Sequence, residues 1–128
     1  MNNINKQYLG IDWGEKRIGL ALADGETKMA LPLTTVSNLT ELLKVIEEEN
    51  ITLAIIGSPQ KMSGEKANSQ NFLRFLKELK QEAKVEVVEI DERLSSKAAD
   101  ALFGGKKNKA KRDEIAATLI LQTYLDIN

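Results

Sequence analysis

Within residues 8–24, YLGIDWGEKRIGLALAD, the second half, IGLALA, alternates between large and small side chains with a period of two. Ile18, Leu20 and Leu22 interleave with Gly19, Ala21 and Ala23, so one face of this stretch is apolar and branched while the other is nearly bare. Such alternation reads as strand, and a bare face lets a helix or a ligand approach closely. Tyr8 to Trp13 and Arg17 to Ala23 are therefore expected as two strands joined by a short turn through Gly14, Glu15 and Lys16. Asp24-Gly25 marks the next turn. Met29 to Val36 is expected as a third strand, antiparallel to the second, with Pro32 placing it at an edge.

Further along, the pattern changes. Asn38 can cap a helix carrying Leu39, Leu42, Leu43 and Ile46 at the spacing of one helical face. Ile51 to Gly57 is almost uniformly apolar, as a strand buried on both faces of a parallel sheet must be. SPQKMSG reads as a loop, and a second helix is expected from about Glu65 to Ala83, burying Phe72, Phe75, Leu76 and Leu79. Val85 to Ile90 is a fifth strand. Ser95 or Ser96 can cap a short helix ending near Phe103. Gly104-Gly105 and the basic run after them read as a mobile connector, and Asp113 to about Leu125 as the final helix. The fold class is thus α/β, with a mixed five-stranded sheet. Three antiparallel strands are followed by αβαβ, and helices lie on both faces. At 128 residues a single domain spanning 1–128 is expected, large enough to bury a core without staples.

Three carboxylates stand out in this frame. Asp12 ends the first strand, Glu92 just follows the fifth, and Asp113 opens the last helix. Ligands in open sheets bind at the carboxyl ends of parallel strands, so Asp12 and Glu92 can meet although eighty positions separate them. Each acid also has a plain structural reading: Asp12 as a turn starter, Glu92 as a loop residue, Asp113 as a helix cap. The chain contains no histidine and no cysteine. That excludes serine-triad and cysteine-protease chemistry and the usual zinc site, and it excludes a disulfide framework. Hard oxygen ligands remain, and they suit magnesium or manganese.

The net charge is −1, which argues against a generally basic nucleic-acid coat. Its distribution is uneven, because Lys106, Lys107, Lys109, Lys111 and Arg112 fall within seven residues with no acid among them. A solubilising loop is the plain reading, but this run abuts Asp113, so a phosphate-steering role is favoured. No signal peptide opens the chain and no apolar run approaches the ~20 residues of a membrane span, so a cytoplasmic protein without a membrane partner is expected.

Read together, GIDWGEKRIGLALAD, GSPQKMSGEKANSQNFLRFLKEL, IDERLSS and KRDEIAATLILQTYL resemble the bacterial pre-16S ribosomal RNA nuclease family, also described as Holliday junction resolvases. The resemblance covers essentially the whole chain. Departures are mild: Ser95 and Ser96 where threonines are common, and Ser58 where leucine is common. The resemblance implies a ribonuclease H-like fold and phosphodiester hydrolysis with two magnesium ions. It puts the family's acidic positions on Asp12, Glu92 and Asp113, with Asp12 bridging both metals. Lys16, Arg17, Arg93 and the 106–112 run are expected to contact phosphate. RNA is favoured as partner over structured DNA, with transient ribosome association, and a monomer is favoured over a dimer. Three other readings stand beside this one: a Holliday junction resolvase acting in DNA recombination or repair, a non-catalytic RNA-binding module, and an ATP-binding hairpin like that of sugar kinases. The last would need a second lobe that 128 residues do not supply.

Overall fold

The computed structural model describes residues 6–58, 70–91 and 109–127, the last segment with side chains from 113 onward. Five strands form one sheet: β1 (Gln7–Trp13), β2 (Ile18–Asp24), β3 (Leu31–Val36), β4 (Leu53–Ser58) and β5 (Glu86–Asp91). Three helices accompany them: α1 (Leu39–Glu48), α2 (Gln70–Glu82) and α3 (Lys109–Ile127). The spatial order is β3-β2-β1-β4-β5. β2 is antiparallel to β1 and β3, whereas β4 runs parallel to both β1 and β5. The mixed sheet expected from the sequence is therefore present, with β3 at one edge. Pro32 sits in β3, and a register irregularity in the β2–β3 ladder falls between Leu20 and Ala21. A missing N–H and a bulge both blunt an edge against further pairing.

The period of two sorts the sheet into two cores. Leu9, Ile11, Ile18, Leu20, Ala54 and Ile56 face α1 and α2, where Leu42, Ile46, Phe72, Phe75, Leu76 and Leu79 close over them. Tyr8, Ala21, Ala23 and Ile55 face the other way, against Ala117, Ile120, Leu121 and Leu125 of α3. β4 feeds both cores, which is why its sequence shows no alternation. α1 starts where the sequence says it should: the Asn38 side chain accepts from the Glu41 N–H at 2.9 Å, and Glu41 reaches back to the Ser37 N–H at 2.7 Å.

Where α3 meets the sheet, the contact is between backbones. A Cβ added at Gly10 would stand 2.7 Å from the Ala117 carbonyl oxygen and 2.7 Å from Leu121 Cβ. One at Gly19 would overlap the carbonyl of Asp113. The bare face of the first two strands is thus filled by a helix.

Two expectations differ from the structure. α3 is already helical at Lys109, four residues before the expected start at Asp113, so Lys109, Lys111 and Arg112 belong to a helix and not to a mobile connector. The reason is local: lysine, alanine and arginine are good helix formers, and no breaker separates Lys109 from Asp113. Asp113 is consequently inside the helix and does not cap it. The expected helix between Ser95 and Phe103, and residues 59–69 of the loop and second helix, lie outside the described residues.

Gly19→Ala is expected to destabilise the protein by about 1–3 kcal/mol, as overpacking does, because the opposing atoms are backbone and α3 must move as a unit. Gly10→Ala should act similarly, and the double variant should fall short of the sum, since one displacement of α3 relieves both contacts. Urea unfolding of the three variants measures this.

Candidate active site

The position of Asp12 follows from strand parity and helix pitch. Tyr8, Gly10 and Asp12 share the face of β1 that meets α3. Gly10 lies under Ala117 and Leu121. Two strand residues advance ~6.6 Å and one helical turn advances ~5.4 Å, so moving from Gly10 to Asp12 corresponds to moving back one turn along α3, from Ala117 to Asp113. The β1–β2 ladder gives the same answer independently. Asp12 pairs with Gly19, and Gly19 is the residue pressed against the Asp113 backbone. Asp12 and Asp113, 101 positions apart in sequence, line one cleft of about 540 Å³ together with Trp13, Gly14, Glu15, Lys16 and Arg17.

The electrostatics of this cleft centre on one ion pair. Arg17 Nε donates to Asp113 Oδ2 at 2.9 Å, with the two side chains 38% and 27% exposed. At that exposure the pair contributes no more than about 1 kcal/mol to stability. Its importance is positional, since it aims the Asp113 carboxylate toward the β1–β2 turn. The next residue is held separately: the Thr35 hydroxyl of β3 donates to Glu114 Oε2 at 3.1 Å. The turn itself is tethered from the opposite side, where Asn71 of α2 donates to Glu15 Oε2 at 3.0 Å. Lys16 at the tip is exposed.

Four expected site residues therefore come together: Asp12, Lys16, Arg17 and Asp113. Glu92, Arg93, Lys106 and Lys107 lie outside the described residues, as do the side chains of Lys109, Lys111 and Arg112, whose backbone forms the turn of α3 leading into Asp113. β5 does carry the chain to the cleft's end of the sheet: Ser58 pairs with Asp91, one residue before Glu92. Among the described residues no group of three or more acids is placed to hold a metal ion. Two features nevertheless suit a hard cation: the acids facing the cleft offer oxygen donors only, and the Asp113 carboxylate already accepts a positive partner.

The engagement of Arg17 by Asp113 was not read from the sequence. Trp13, a single aromatic beside a turn, reads more often as core than as a base-stacking surface, and it packs against the core. Its ring lies 5.5 Å from Phe72 in an edge-on arrangement and 6.0 Å from Phe75, as part of the α1/α2 core. Parity carried that signal, since Leu9, Ile11 and Trp13 share a face.

Comparison with known proteins identifies the family. Residues 6–127 match the family model RuvX, described as Holliday junction resolvase. The chain belongs to the RuvX family. Curated relatives that share the name "Putative pre-16S rRNA nuclease" include one from Chlamydia caviae, 39% identical over 98% of this chain and 86% of its own length. Another, from Rickettsia africae, is 36% identical over 95% and 87%. A third, from Endomicrobium trichonymphae, is 33% identical over 94% and 96%. Among solved structures, Thermus thermophilus RuvC in complex with a Holliday junction substrate superposes with a TM-score of 0.60, covering 96% of this chain and 95% of that one at 14% identity. That likeness establishes the ribonuclease H-like fold. No described helix of this RuvX-family protein is long and apolar enough to cross a membrane.

Trp13→Ala should cost about 3 kcal/mol in unfolding experiments, the low end for removing a large aromatic, because the ring is only half-buried. Trp13→Phe should retain most of the stability and all of the nucleic-acid affinity. A large loss of affinity in a folded Trp13→Phe protein would restore the base-stacking role.

Proposed function

We propose that this protein is a metal-dependent nuclease that hydrolyses phosphodiester bonds and processes the 5′ end of pre-16S ribosomal RNA. The observation that carries the reading is the meeting of Asp12 and Asp113 in one cleft, beside Lys16 and Arg17, at the carboxyl end of β1. The names of the relatives support the substrate. In this reading Asp12, Asp113 and Glu92 hold magnesium or manganese. A bound divalent ion supplies charge stabilisation for the reacting phosphate and lowers the pKa of water. The chain's own residues do the rest. The acids must face the cleft, and the packing of α3 on Gly19 fixes the backbone of Asp113 there. Lys16 and Arg17 stand at the cleft wall, where they can neutralise phosphate oxygens and orient the strand. In this reading Arg93 and the basic run Lys106, Lys107, Lys109, Lys111 and Arg112 also contact the phosphate backbone. A single-stranded RNA can bend one phosphate into such a site without distorting a duplex, and a monomer suffices for one cut. Pro32 and the β2–β3 irregularity disfavour dimerisation through the β3 edge.

A second reading, resolution of four-way DNA junctions, is favoured by the description of the matching family and by the RuvC structure bound to a junction. It requires two sites spaced for paired cuts, and hence a dimer.

Asp12→Asn, Glu92→Gln and Asp113→Asn are each expected to lower cleavage by orders of magnitude with the fold retained by circular dichroism. EDTA should abolish activity, and magnesium or manganese should restore it. Wild-type cleavage that persists in EDTA would refute the metal-dependent reading. End-labelled RNA, single-stranded DNA and junction DNA compared side by side decide the substrate. Faster cutting of RNA by a monomer is expected, whereas symmetric nicking of the junction by a dimer with RNA untouched would install the resolvase.

If all five bases of the 106–112 run contact a single strand, the logarithm of affinity should fall with the logarithm of salt at a slope of about −3.5, and less steeply if some stay solvated. Changing Lys106, Lys107, Lys109 and Lys111 to alanine should flatten that slope with little loss of stability. An unchanged slope would make the run a solubilising segment.

A further inference from the structure

Arg17 has two possible anionic partners in the proposed reaction, and the structure shows it with one of them. Its Nε donates to Asp113 Oδ2, an oxygen of an acid that the nuclease reading assigns to a metal ion. Among the described residues, no second side chain engages the guanidinium. The pair lies at the wall of the Asp12–Asp113 cleft, partly exposed on both sides, so breaking it costs little. A divalent cation offers the same carboxylate twice the charge of the guanidinium. Once released, a guanidinium anchored beside the turn finds its best alternative anion in a phosphate, whose oxygens match its fork.

We infer that Arg17 is an exchangeable positioning residue: it holds the Asp113 carboxylate until a divalent cation takes it, and then turns to the phosphate of the nucleic acid. The inference rests on the metal-dependent nuclease reading. It has two consequences. Arg17 and the cation compete for Asp113, so removing the guanidinium tightens cation binding. Cation and nucleic acid help each other bind, because each favours the state in which Arg17 has left Asp113, and such coupling is reciprocal.

The test measures binding, without turnover. Manganese affinity is determined by calorimetry or electron paramagnetic resonance for the wild type, Arg17→Gln, Arg17→Lys, Asp113→Asn and the Arg17→Gln/Asp113→Asn double variant, each confirmed as folded by thermal melting. Arg17→Gln should bind manganese about two- to fivefold more tightly, the range a partly exposed ion pair allows. Arg17→Lys, which keeps the charge, should return toward the wild type. In the Asp113→Asn background, Arg17→Gln should make no difference. Affinity for a single-stranded RNA oligonucleotide is then compared in calcium and in EDTA. Arg17→Gln should lose more affinity in calcium, where the guanidinium is free to reach phosphate, than in EDTA, where Asp113 holds it.

Equal or weaker manganese binding by Arg17→Gln overturns the exchange, since the arginine would then be ordering the carboxylate for the cation. Equal loss of RNA affinity in calcium and EDTA overturns it as well. If the wild type binds manganese and Asp113→Asn does not, these failures leave the nuclease reading standing. Absence of manganese binding in every protein, wild type included, overturns both.

Discussion

The close seating of α3 on the glycine face of β1 and β2 is the contact on which the rest depends. Gly10 and Gly19 leave no side chain between sheet and helix, so the helix backbone lies against the strand backbone. Packing at that distance fixes both the depth and the register of α3. Register matters most, because a helix seated one turn further along would carry Asp113 ~5.4 Å away from Asp12. Ala117, Ile120, Leu121 and Leu125 bury the remainder of the helix against Tyr8, Ala21, Ala23 and Ile55. An exposed cluster of carboxylates has no intrinsic reason to stay together. Here the apolar seam behind it holds the acids in one cleft.

The sheet was legible because each strand obeyed one simple rule. Alternation in β2, an edge proline in β3 and an unbroken apolar run in β4 each carry a position in the sheet, and β3 is found at an edge and β4 in the interior. The residues of α2 that point inward, Phe72, Phe75, Leu76 and Leu79, were legible for the same reason. Asp12 and Asp113 could be singled out by type and by neighbourhood, and the bare face of β2 announced a close approach. It did not announce what would approach. The Arg17–Asp113 pair joins residues 96 positions apart and exists only because α3 crosses Gly19, so no local pattern could reveal it. The start of α3 was misplaced because an aspartate after a basic run reads as a cap, whereas the helix-forming tendency of Lys109, Ala110, Lys111 and Arg112 carries the helix further back.

The two sides of the β1–β2 turn share the work of holding the cleft open. On the α3 side the turn faces Asp113 through Arg17. On the other side Glu15 accepts from Asn71 of α2, and Trp13 is clasped by Phe72 and Phe75. The turn is thus suspended between the two helical layers. This arrangement leaves Lys16, at the tip, exposed to solvent. A turn packed wholly onto either layer would have buried its basic residues, and one tethered to neither would have let them sample many positions. Suspension fixes the backbone and leaves the charges available.

The basic turn of α3 shows the opposite economy. Helix N-terminal ends favour acidic side chains, because the macrodipole is positive there. The N-terminal turn of α3 has no acid, and Lys109, Lys111 and Arg112 fall within it or just after it. Each such charge opposes the dipole by about 0.3–1 kcal/mol when exposed. A sequence shaped only for helix stability would have placed aspartate or glutamate there. Basic residues at a positive helix end oppose its dipole, and an anionic chain such as the proposed nucleic-acid substrate is the kind of partner that offsets this. The helix end is therefore weakest as isolated structure at the place where the proposed reaction needs positive charge most.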